Sequence, residues 1–291
     1  MPETFPLAGR TALVTGVSRR RGIGYAVAAR LARLGASVFI HHFRPHDLEQ
    51  PWGGDDLDAV RSGIRSALAP GARFGDLGAD LADPSEIQPL LDAARGLTGS
   101  VDILVCNHAK SGGDGGILDM TAERLDEFWA IDTRSTLLLT GAFARAVAGV
   151  DGPREALRPG ERPASDGPFA EPRGRVFWMT SGQVHAPMRG EVAYATSKAA
   201  LAGITPTVAA ELLGLGIILN TVNPGPVNTG YMDAGASDRD LDELDRRLAE
   251  TPFGRFGRPA DPAELIAWLA GPAGAWVVGQ VLTSDGGFSL G

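Results

Sequence analysis

Residues 15–24 read TGVSRRRGIG and lie between an apolar run, Thr11–Thr15, and an amphipathic segment, Gly24–Leu34. The apolar run has the length of a buried strand, and the segment after it has the apolar spacing of a helix. Gly35 follows the segment directly, and a glycine in this position commonly ends a helix. The sequence therefore predicts a strand, a glycine-rich turn and a helix in succession.

The predicted turn has the features of a phosphate-binding site. Its glycines let the backbone approach a pyrophosphate, whose charge would meet the N-terminus of the following helix. Glycines also occur in ordinary tight turns, so the evidence lies in the order of strand, turn and helix. This order favours dinucleotide binding. The residues expected to contact the dinucleotide here are Gly16, Ser18, Arg19, Arg21, Gly22, Ile23 and Gly24.

Apolar runs of strand length alternate with amphipathic segments of helix length along nearly the whole chain. Such alternation predicts βαβ crossovers and a parallel sheet with helices on both faces. We therefore predict the α/β class, with one doubly wound domain over residues 1–291 and a sheet of about seven strands. After Thr11–Thr15, the predicted strands are Ser37–His41, Phe74–Asp80, Val101–Cys106, Arg175–Thr180, Ile217–Val222 and Val277–Thr283.

Two segments rich in proline and glycine interrupt this alternation. Arg44–Asp56 follows the second predicted strand, and Gly149–Gly174 contains five prolines and almost no apolar periodicity. The longer segment is predicted to be an inserted surface loop. A lid over a binding site is the alternative interpretation of the same segment.

The composition excludes several classes of partner. A net charge of −8 provides no overall basic surface for nucleic acid. No run of 18 apolar residues and no N-terminal signal sequence is present, so we expect no membrane contact and a cytoplasmic location. The one cysteine excludes an intramolecular disulfide and a cysteine-rich zinc site. Adjacent His41 and His42 would point to opposite faces of a strand, so no metal site is predicted.

The end of the second predicted strand indicates the type of dinucleotide. A carboxylate some 20 residues after the glycines would bind a free ribose 2′-hydroxyl, but Ile40–Arg44 contains none. With the arginines at 19–21 and Arg44 nearby, the sequence favours a 2′-phosphate, and hence NADP(H), without excluding NAD(H). The alternative is that these arginines only form a solvated loop. His42 and Arg44 are the contacts predicted from this strand end.

Asp80 and Leu81 close the third predicted strand. A carboxylate at this position is suited to accept a hydrogen bond from an adenine amino group, or else to cap a helix. We predict both residues among the cofactor contacts, and the helix cap stays open as the alternative for Asp80.

Tyr194 and Lys198 lie four residues apart at the start of a long predicted helix, so both are on one face. The chain has only three tyrosines and two lysines, which makes a chance pairing at this spacing rare. A nearby ammonium lowers the pKa of a phenol, which can then exchange a proton with a carbonyl or alcohol oxygen. Ser181 follows a predicted strand at the edge where α/β sheets bind ligands, and it can hold the same oxygen. These three residues are predicted to be catalytic, and an exposed helix pair is the alternative.

Several motifs of the chain, and the order in which they occur, resemble the short-chain dehydrogenase/reductase family. The resemblance covers nearly the whole chain. The motifs are the glycine turn 15–24, Ser181, Tyr194 and Lys198, Asn223-Pro224-Gly225, Gly257-Arg258-Pro259, and Ser284-Asp285-Gly286-Gly287. The resemblance implies a Rossmann-like fold, a nicotinamide cofactor, a small carbonyl or alcohol substrate, and a homotetramer or homodimer. A 3-oxoacyl-reductase-like activity is one option among several.

The resemblance also implies roles for individual residues. Tyr194 would be the general acid/base, Ser181 would polarise the carbonyl, and Lys198 would bind the nicotinamide ribose and lower the pKa of Tyr194. Residues 228–257 would cover the substrate. Further cofactor contacts are implied at Asn107, His108, Ala109, Pro224, Gly225, Val227 and Thr229.

The chain departs from the family pattern at three places. Five residues instead of three separate the first two glycines of the turn, and Cys106–Ala109 replaces the family's Asn-Asn-Ala-Gly. Asp132 stands where the family has a catalytic Asn. An Asp there can hold a water that relays protons to Lys198, and its charge keeps that lysine protonated. Asp132 is therefore included among the predicted catalytic residues.

The resulting prediction is an NAD(P)-dependent oxidoreductase, with NADPH favoured, that interconverts a ketone and a secondary alcohol. The alternative, from another class of protein, is a regulatory or scaffold protein that binds the cofactor without turnover. Asp132 and the changed residues 106–109 favour the alternative, whereas the intact set of Ser181, Tyr194 and Lys198 favours the enzyme.

Overall fold

Seven parallel strands form one sheet in the computed structural model, which describes residues 5–150, 157–162, 164–233, 236, 241–251 and 253–290. The strands are β1 (Thr11–Val14), β2 (Ser37–His42), β3 (Phe74–Gly78), β4 (Ile103–Cys106), β5 (Gly174–Met179), β6 (Ile217–Asn223) and β7 (Val281–Thr283). Their spatial order is β3-β2-β1-β4-β5-β6-β7. The predicted fold class, a doubly wound α/β fold with about seven parallel strands, is confirmed.

Helices cover both faces of the sheet. They are α1 (Ile23–Arg33), α2 (Arg44–Glu49), α3 (Leu57–Ala67), α4 (Ile87–Gly96), α5 (Ala122–Phe128), α6 (Ser135–Ala148), α7 (Val192–Leu213), α8 (Leu241–Ala249) and α9 (Ala260–Ala270). A π-helical turn, Trp129–Arg134, joins α5 to α6. Apolar side chains of α1, α3 and α9 pack on one face, and those of α4, α6 and α7 pack on the other. Strands β1, β4, β5 and β6 are consequently buried along their whole length.

The strand order places a crevice at the centre of the sheet. β1 pairs with β2 on one side and with β4 on the other. Successive strands are therefore added outward in one direction from β1 to β3 and in the opposite direction from β4 to β7. In open α/β sheets, ligands bind outside the carboxyl ends of the strands at such a switch point. The turn after β1 and the loop after β4 therefore lie where a ligand is expected.

Two predicted elements differ from the structure by more than the shifts of one or two residues seen at the ends of the other strands. β7 begins at Val281 rather than Val277, because Gly279 has a φ of +69°, which an extended strand does not adopt. Arg44–Asp56, predicted only as an interruption, begins with the short helix α2. Pro45 lies in the first turn of that helix, where its missing N–H would have no helical partner in any case.

The two segments predicted as an inserted loop and as a substrate cover are described only in part. In Gly149–Gly174, the described residues before β5 form neither helix nor strand, and Gly149 ends α6 with a left-handed backbone, φ +67°. Residues 151–156 and 163 of the loop, and 234–235, 237–240 and 252 of the cover, lie outside the described residues. Across the described part of the chain, no helix has both the length and the apolar character needed to cross a bilayer.

Candidate active site

A cleft of about 880 Å³ opens at the carboxyl ends of β1, β4, β5 and β6. Most of the predicted site residues line it, namely Gly16, Ser18, Arg19, Gly22, Ile23, Asp80, Leu81, Asn107, His108, Ala109, Ser181, Tyr194, Lys198, Pro224, Gly225, Val227 and Thr229. Arg21, Gly24, His42, Arg44 and Asp132 are not part of its wall. The fold thus brings the glycine turn to the same cleft as three of the four predicted catalytic residues, Ser181, Tyr194 and Lys198.

The turn after β1 fits tightly against the residues that follow β4. Gly16 has a φ of +70°, and a Cβ on it would lie 2.8 Å from the Cα of His108. A Cβ on Gly24 would lie 2.6 Å from Nδ2 of Asn107. That amide donates to the carbonyl oxygens of Thr15 and Gly16, at 3.1 Å in both cases. Glycine is required at both positions, and Gly24 serves the packing of the turn rather than the cleft wall.

The N-terminus of α1 provides the electrostatic part of a phosphate site. Gly22 precedes this helix, and no side chain caps it. The first N–H groups of a helix carry a partial positive charge and have no partner within the helix. Gly16, Ser18 and Gly22 line the cleft beside them. These residues fit the pyrophosphate of a dinucleotide and would hold it there.

Each arginine of the turn is paired with a carboxylate. The pairs are Arg19–Asp47 (3.1 Å), Arg20–Asp55 (2.9 Å) and Arg21–Asp233 (2.7 Å). The side chains of Arg20 and Arg21 are 52% and 62% exposed, so their pairs contribute little to stability. Arg19 is only 17% exposed. The predicted arginine cluster for a 2′-phosphate is thereby reduced, because Arg19 is the member of the run 19–21 that lines the cleft.

At the end of β2, His41 rather than His42 faces the cleft. Successive strand residues point to opposite faces, and Nε2 of His42 lies 3.2 Å from Oδ2 of Asp76 on the other side. Arg61 binds the same carboxylate at 2.7 Å. The structure therefore places His41 on the cleft wall and not the predicted His42, and Arg44 likewise lies outside the wall.

His41 and His108 form a buried hydrogen-bonded layer beneath the turn. His41 Nδ1 accepts from the Gly16 N–H at 3.3 Å, and its Nε2 lies 2.9 Å from the carbonyl oxygen of Ala79, so the ring proton is on Nε2. The two ring nitrogens of His108 each lie 2.7 Å from a hydroxyl, those of Thr15 and Ser135. Burial lowers the pKa of His41 to about 4, and it lowers that of His108 well below the ordinary value.

This layer predicts that acid destabilises the protein. Both histidines are neutral when folded, whereas an unfolded histidine binds a proton near pH 6.5, so the unfolded state holds more protons below that pH. The free energy of unfolding is expected to fall by about 1.4 kcal/mol per pH unit for each histidine, for His41 between about pH 6.5 and 4. Urea unfolding at pH 7 and pH 5 measures it, and His41→Gln should reduce the difference. Equal stability at the two pH values would contradict the prediction.

Ser181, Tyr194 and Lys198 meet at one end of the cleft. β5 ends at Met179 and delivers Ser181 to the wall, while α7 carries the other two residues. Nζ of Lys198 lies 5.6 Å from the centroid of the Tyr194 ring. The rings of Tyr194 and Phe128 pack edge to face, with their centroids 6.4 Å apart. Lys198 is only 2% exposed. The proximity predicted from the spacing of four residues is present in the structure.

The pKa of Tyr194 is raised, contrary to the direction predicted from its lysine neighbour. Burial is the main cause, the charge of Asp132 acts in the same direction, and the hydrogen bond with the Ser181 hydroxyl opposes both. Burial disfavours the phenolate because the charged form loses its hydration. The phenol is therefore protonated at neutral pH, and it is a weaker acid than an exposed phenol, so its phenolate needs a compensating positive charge.

Asp132 lies behind the catalytic residues in the π-helical turn Trp129–Arg134 and is fully buried. Its Oδ1 accepts from the backbone N–H of Lys110 at 2.6 Å, and its Oδ2 accepts from the Ser197 hydroxyl at 3.0 Å. Burial raises the pKa of Asp132, and the charge of Lys198 opposes this. Each oxygen thus has a protein donor, and the carboxylate fastens α7 to the loop after β4.

Asp114, which the sequence reasoning missed, caps the catalytic helix. Its two oxygens accept from the N–H groups of Ala193 (3.1 Å) and Tyr194 (2.8 Å) at the start of α7. Glu191, the residue that precedes this helix, makes no capping bond with its side chain. A carboxylate at a helix N-terminus is stabilising, and here it comes from a loop far away in sequence, so no local cap signal marks it.

Cys106 is predicted to be chemically inert in the folded protein. It is buried, and burial raises the pKa of its thiol to about 12. Because the thiolate is the reactive form, iodoacetamide at about pH 8 should not modify the native protein and should modify the chain in guanidinium chloride. Mass spectrometry measures the alkylation. Rapid labelling of the native protein would contradict the assigned burial.

The match to known proteins extends over the whole described fold. A family model described as enoyl-(acyl carrier protein) reductase matches residues 16–152 and 164–289. A solved short-chain dehydrogenase/reductase from Serratia marcescens superimposes with a TM-score of 0.75 and is 30% identical, with 98% of this chain and 99% of that chain covered. The chain belongs to the short-chain dehydrogenase/reductase family. As a member, it is an NAD(P)-dependent oxidoreductase that acts on CH–OH or carbonyl groups.

Two further proteins are similar to this chain. A chloroplastic protein of Arabidopsis thaliana, named as NADPH-dependent aldehyde reductase-like, is 32% identical, with 98% of this chain and 96% of that protein covered. A blue fluorescent protein from a metagenomic library, solved in complex with NADPH, has a TM-score of 0.75 and 29% identity, with 97% of this chain and 99% of that chain covered.

Among the residues described for this chain, no three His, Cys, Asp or Glu side chains are grouped as metal ligands.

Proposed function

We propose that this protein is an NADPH-dependent reductase of ketones, also able to oxidise the corresponding secondary alcohols, with Tyr194 as the general acid/base. The observation that carries the proposal is the meeting of Ser181, Tyr194 and Lys198 at one end of the cleft that contains the glycine turn. Asp80 and Leu81 line the cleft beside the end of β3 and would contact the adenine. Asn107, Pro224, Gly225, Val227 and Thr229 would contact the nicotinamide half.

The three catalytic side chains have distinct tasks. A bound nicotinamide supplies the hydride in the reductive direction. The Ser181 hydroxyl donates a hydrogen bond to the carbonyl oxygen, and the Tyr194 hydroxyl donates its proton to that oxygen as negative charge develops there. The positive charge of Lys198 then stabilises the phenolate. A phenol is protonated at neutral pH, so Tyr194 has a proton to donate, and the positive charge of Lys198 has to offset the burial that disfavours the phenolate.

Support for NADPH comes from the end of β2 and from relatives. His41 and Phe43 line the cleft there, residues 40–44 contain no carboxylate to bind a free 2′-hydroxyl, and the carboxylate of Asp47 further along is paired with Arg19. The plant relative is named for NADPH, and one structural neighbour binds it. We expect a KM for NADPH about tenfold below that for NADH, equivalent to about 1.4 kcal/mol. Steady-state kinetics with both cofactors measures the ratio, and a tenfold preference for NADH would contradict the proposal.

The experiment that tests the function is a panel of carbonyl substrates assayed by the loss of nicotinamide absorbance. Aldehydes, cyclic ketones, aryl ketones and 3-oxoacyl thioesters together sample the carbonyl class, the last because a 3-oxoacyl reductase-like activity is one of the options. Turnover of any of them supports the enzyme. Binding of NADPH with no turnover across the panel would favour the regulatory or scaffold protein.

Three sequence predictions stay predictions. They are the single domain over residues 1–291, the cytoplasmic location, and the homodimer or homotetramer. The exposed apolar side chains of Leu125, Trp129 and Leu138 lie on α5, the π-helical turn and α6. Exposed apolar side chains on three successive elements support the proposal that copies associate there.

A further inference from the structure

Arg19 joins three segments that are distant in sequence. Its Nε lies 3.1 Å from Oδ1 of Asp47 in α2, and its Cζ lies 5.7 Å from the ring centroid of Trp52, which follows α2. Its Nη1 donates to the carbonyl oxygen of Thr229, in the segment after β6, at 2.9 Å. The turn after β1, the residues after β2 and the residues after β6 therefore meet at one guanidinium.

The segment Arg44–Asp56 contacts two other parts of the cleft wall. It is called the inserted segment below and is distinct from the loop Gly149–Gly174. Nε2 of His46 lies 3.4 Å from the hydroxyl of Ser111, in the loop after β4. The Trp52 ring packs edge-on against Tyr231, after β6, with centroids 6.1 Å apart. All four of these residues line the cleft. The inserted segment thus contacts cleft-lining residues both of the loop after β4 and of the segment after β6.

Among the three arginine–carboxylate pairs, Arg19–Asp47 is the shielded one. Its side chains are 17% and 13% exposed, against 52% and 22% for Arg20–Asp55. Removing one partner of a shielded pair leaves the other charge without compensation, whereas an exposed charge regains water. Arg20 therefore provides a matched control, because it lies in the same turn and pairs with a residue of the same inserted segment.

We propose that Arg19 is a positioning residue that, through Asp47, Trp52 and Thr229, holds the inserted segment and the segment after β6 closed over the bound nicotinamide cofactor. The consequence is a slow release of the cofactor, since the cofactor leaves only after these contacts open. The inference rests on the proposed function in one respect, namely that the cofactor binds in this cleft.

The alternative is that Arg19 acts only by attracting the cofactor phosphates. The two possibilities predict opposite signs for Asp47→Asn, which preserves the size of the side chain. If Arg19 only attracts phosphate, removing the competing negative charge of Asp47 strengthens the attraction, and the cofactor leaves more slowly. If Asp47 fastens the inserted segment, the same change loosens the closure, and the cofactor leaves faster.

The experiment measures the dissociation rate of NADPH by stopped-flow displacement, followed by nicotinamide fluorescence. We expect Asp47→Asn to raise this rate by about tenfold, equivalent to about 1.4 kcal/mol, and Arg20→Ala to change it by less than about twofold. Thermal unfolding of both variants checks that they fold. A rate that is unchanged or lower in Asp47→Asn overturns the proposal.

A second measurement does not depend on the cofactor. Hydrogen exchange followed by mass spectrometry should show faster exchange in residues 44–56 and 228–233 of Asp47→Asn, and no such change in Arg20→Ala. Exchange that increases in neither segment overturns the closure. If wild-type protein binds no NADPH while the exchange pattern is as expected, the proposed function and the slow release both fail, and only the fastening of the two segments by Arg19 stands.

Discussion

Replacing Tyr194 by Phe is expected to lower kcat/KM for carbonyl reduction by about 10²- to 10⁴-fold, the range for loss of a general acid/base. The substitution removes the hydroxyl proposed to transfer its proton to the substrate oxygen, and it leaves the ring packed against Phe128 and beside Lys198. The variant should therefore fold and bind NADPH as the wild type does. Turnover and a fluorescence titration with NADPH measure the two properties separately.

Tyr25→Phe is the matched control for this substitution. Tyr25 lies on α1, and its hydroxyl packs toward Gly63 of α3, outside the cleft. Its removal should change turnover by less than about twofold. If Tyr194→Phe kept its turnover, the general acid/base would be another group, and the roles proposed for Ser181 and Lys198 would have to be revised with it.

The second large expected effect is a loss of folding stability when Asp132 is replaced. The size of this loss depends on the residue that replaces it. Asp132→Ala removes the acceptor of the buried Lys110 N–H and leaves a cavity beside Ser197. A buried donor without an acceptor and an unfilled volume together should lower the free energy of unfolding by about 3 kcal/mol. Urea unfolding measures the loss.

Asp132→Asn should instead keep the fold and keep or raise turnover. The amide oxygen can accept from Lys110, and the amide nitrogen can donate to the Ser197 oxygen, because that hydroxyl has a second acceptor in the carbonyl oxygen of Tyr194 at 2.8 Å. The change also removes one of the causes that raise the pKa of Tyr194. The pH dependence of alcohol oxidation should therefore move to lower pH, because deprotonated Tyr194 is reached earlier. A complete loss of turnover in the folded variant would contradict this account.

Much of the fold could be predicted because its signals are local. The apolar runs that became β1 and β5 are buried on both faces and carry no competing pattern. The errors lie where a local pattern is overruled. Val277 continues an apolar run, yet the left-handed Gly279 delays β7 to Val281. Helix α2 has only six residues and contains a proline, so it shows no helical periodicity.

The candidate site likewise has one part that local sequence signals predict and another part that they do not. The spacing of Tyr194 and Lys198 is a property of one helix, and the end of β5 fixes Ser181 beside them. The partner of Arg19 could not be predicted, because the pairing with Asp47 depends on how two loops fold over each other. The pKa of Tyr194 could not be predicted either, because burial outweighs the lysine, and burial is a property of the whole cleft.

The π-helical turn Trp129–Arg134 has a consequence for the angular phase of the helix that contains it. A π-helical turn corresponds to one residue more than an α-helix would use over the same rise, and each residue of an α-helix advances the angle by about 100°. Deleting one residue there would restore a regular helix and rotate α5 by about that angle relative to α6. Phe128 would then turn away from Tyr194, and Asp132 could no longer face Ser197 while Thr133 donates to the Ser197 carbonyl oxygen at 2.9 Å. The extra residue therefore sets the angular alignment between the helix behind the site and the helix that carries the catalytic tyrosine.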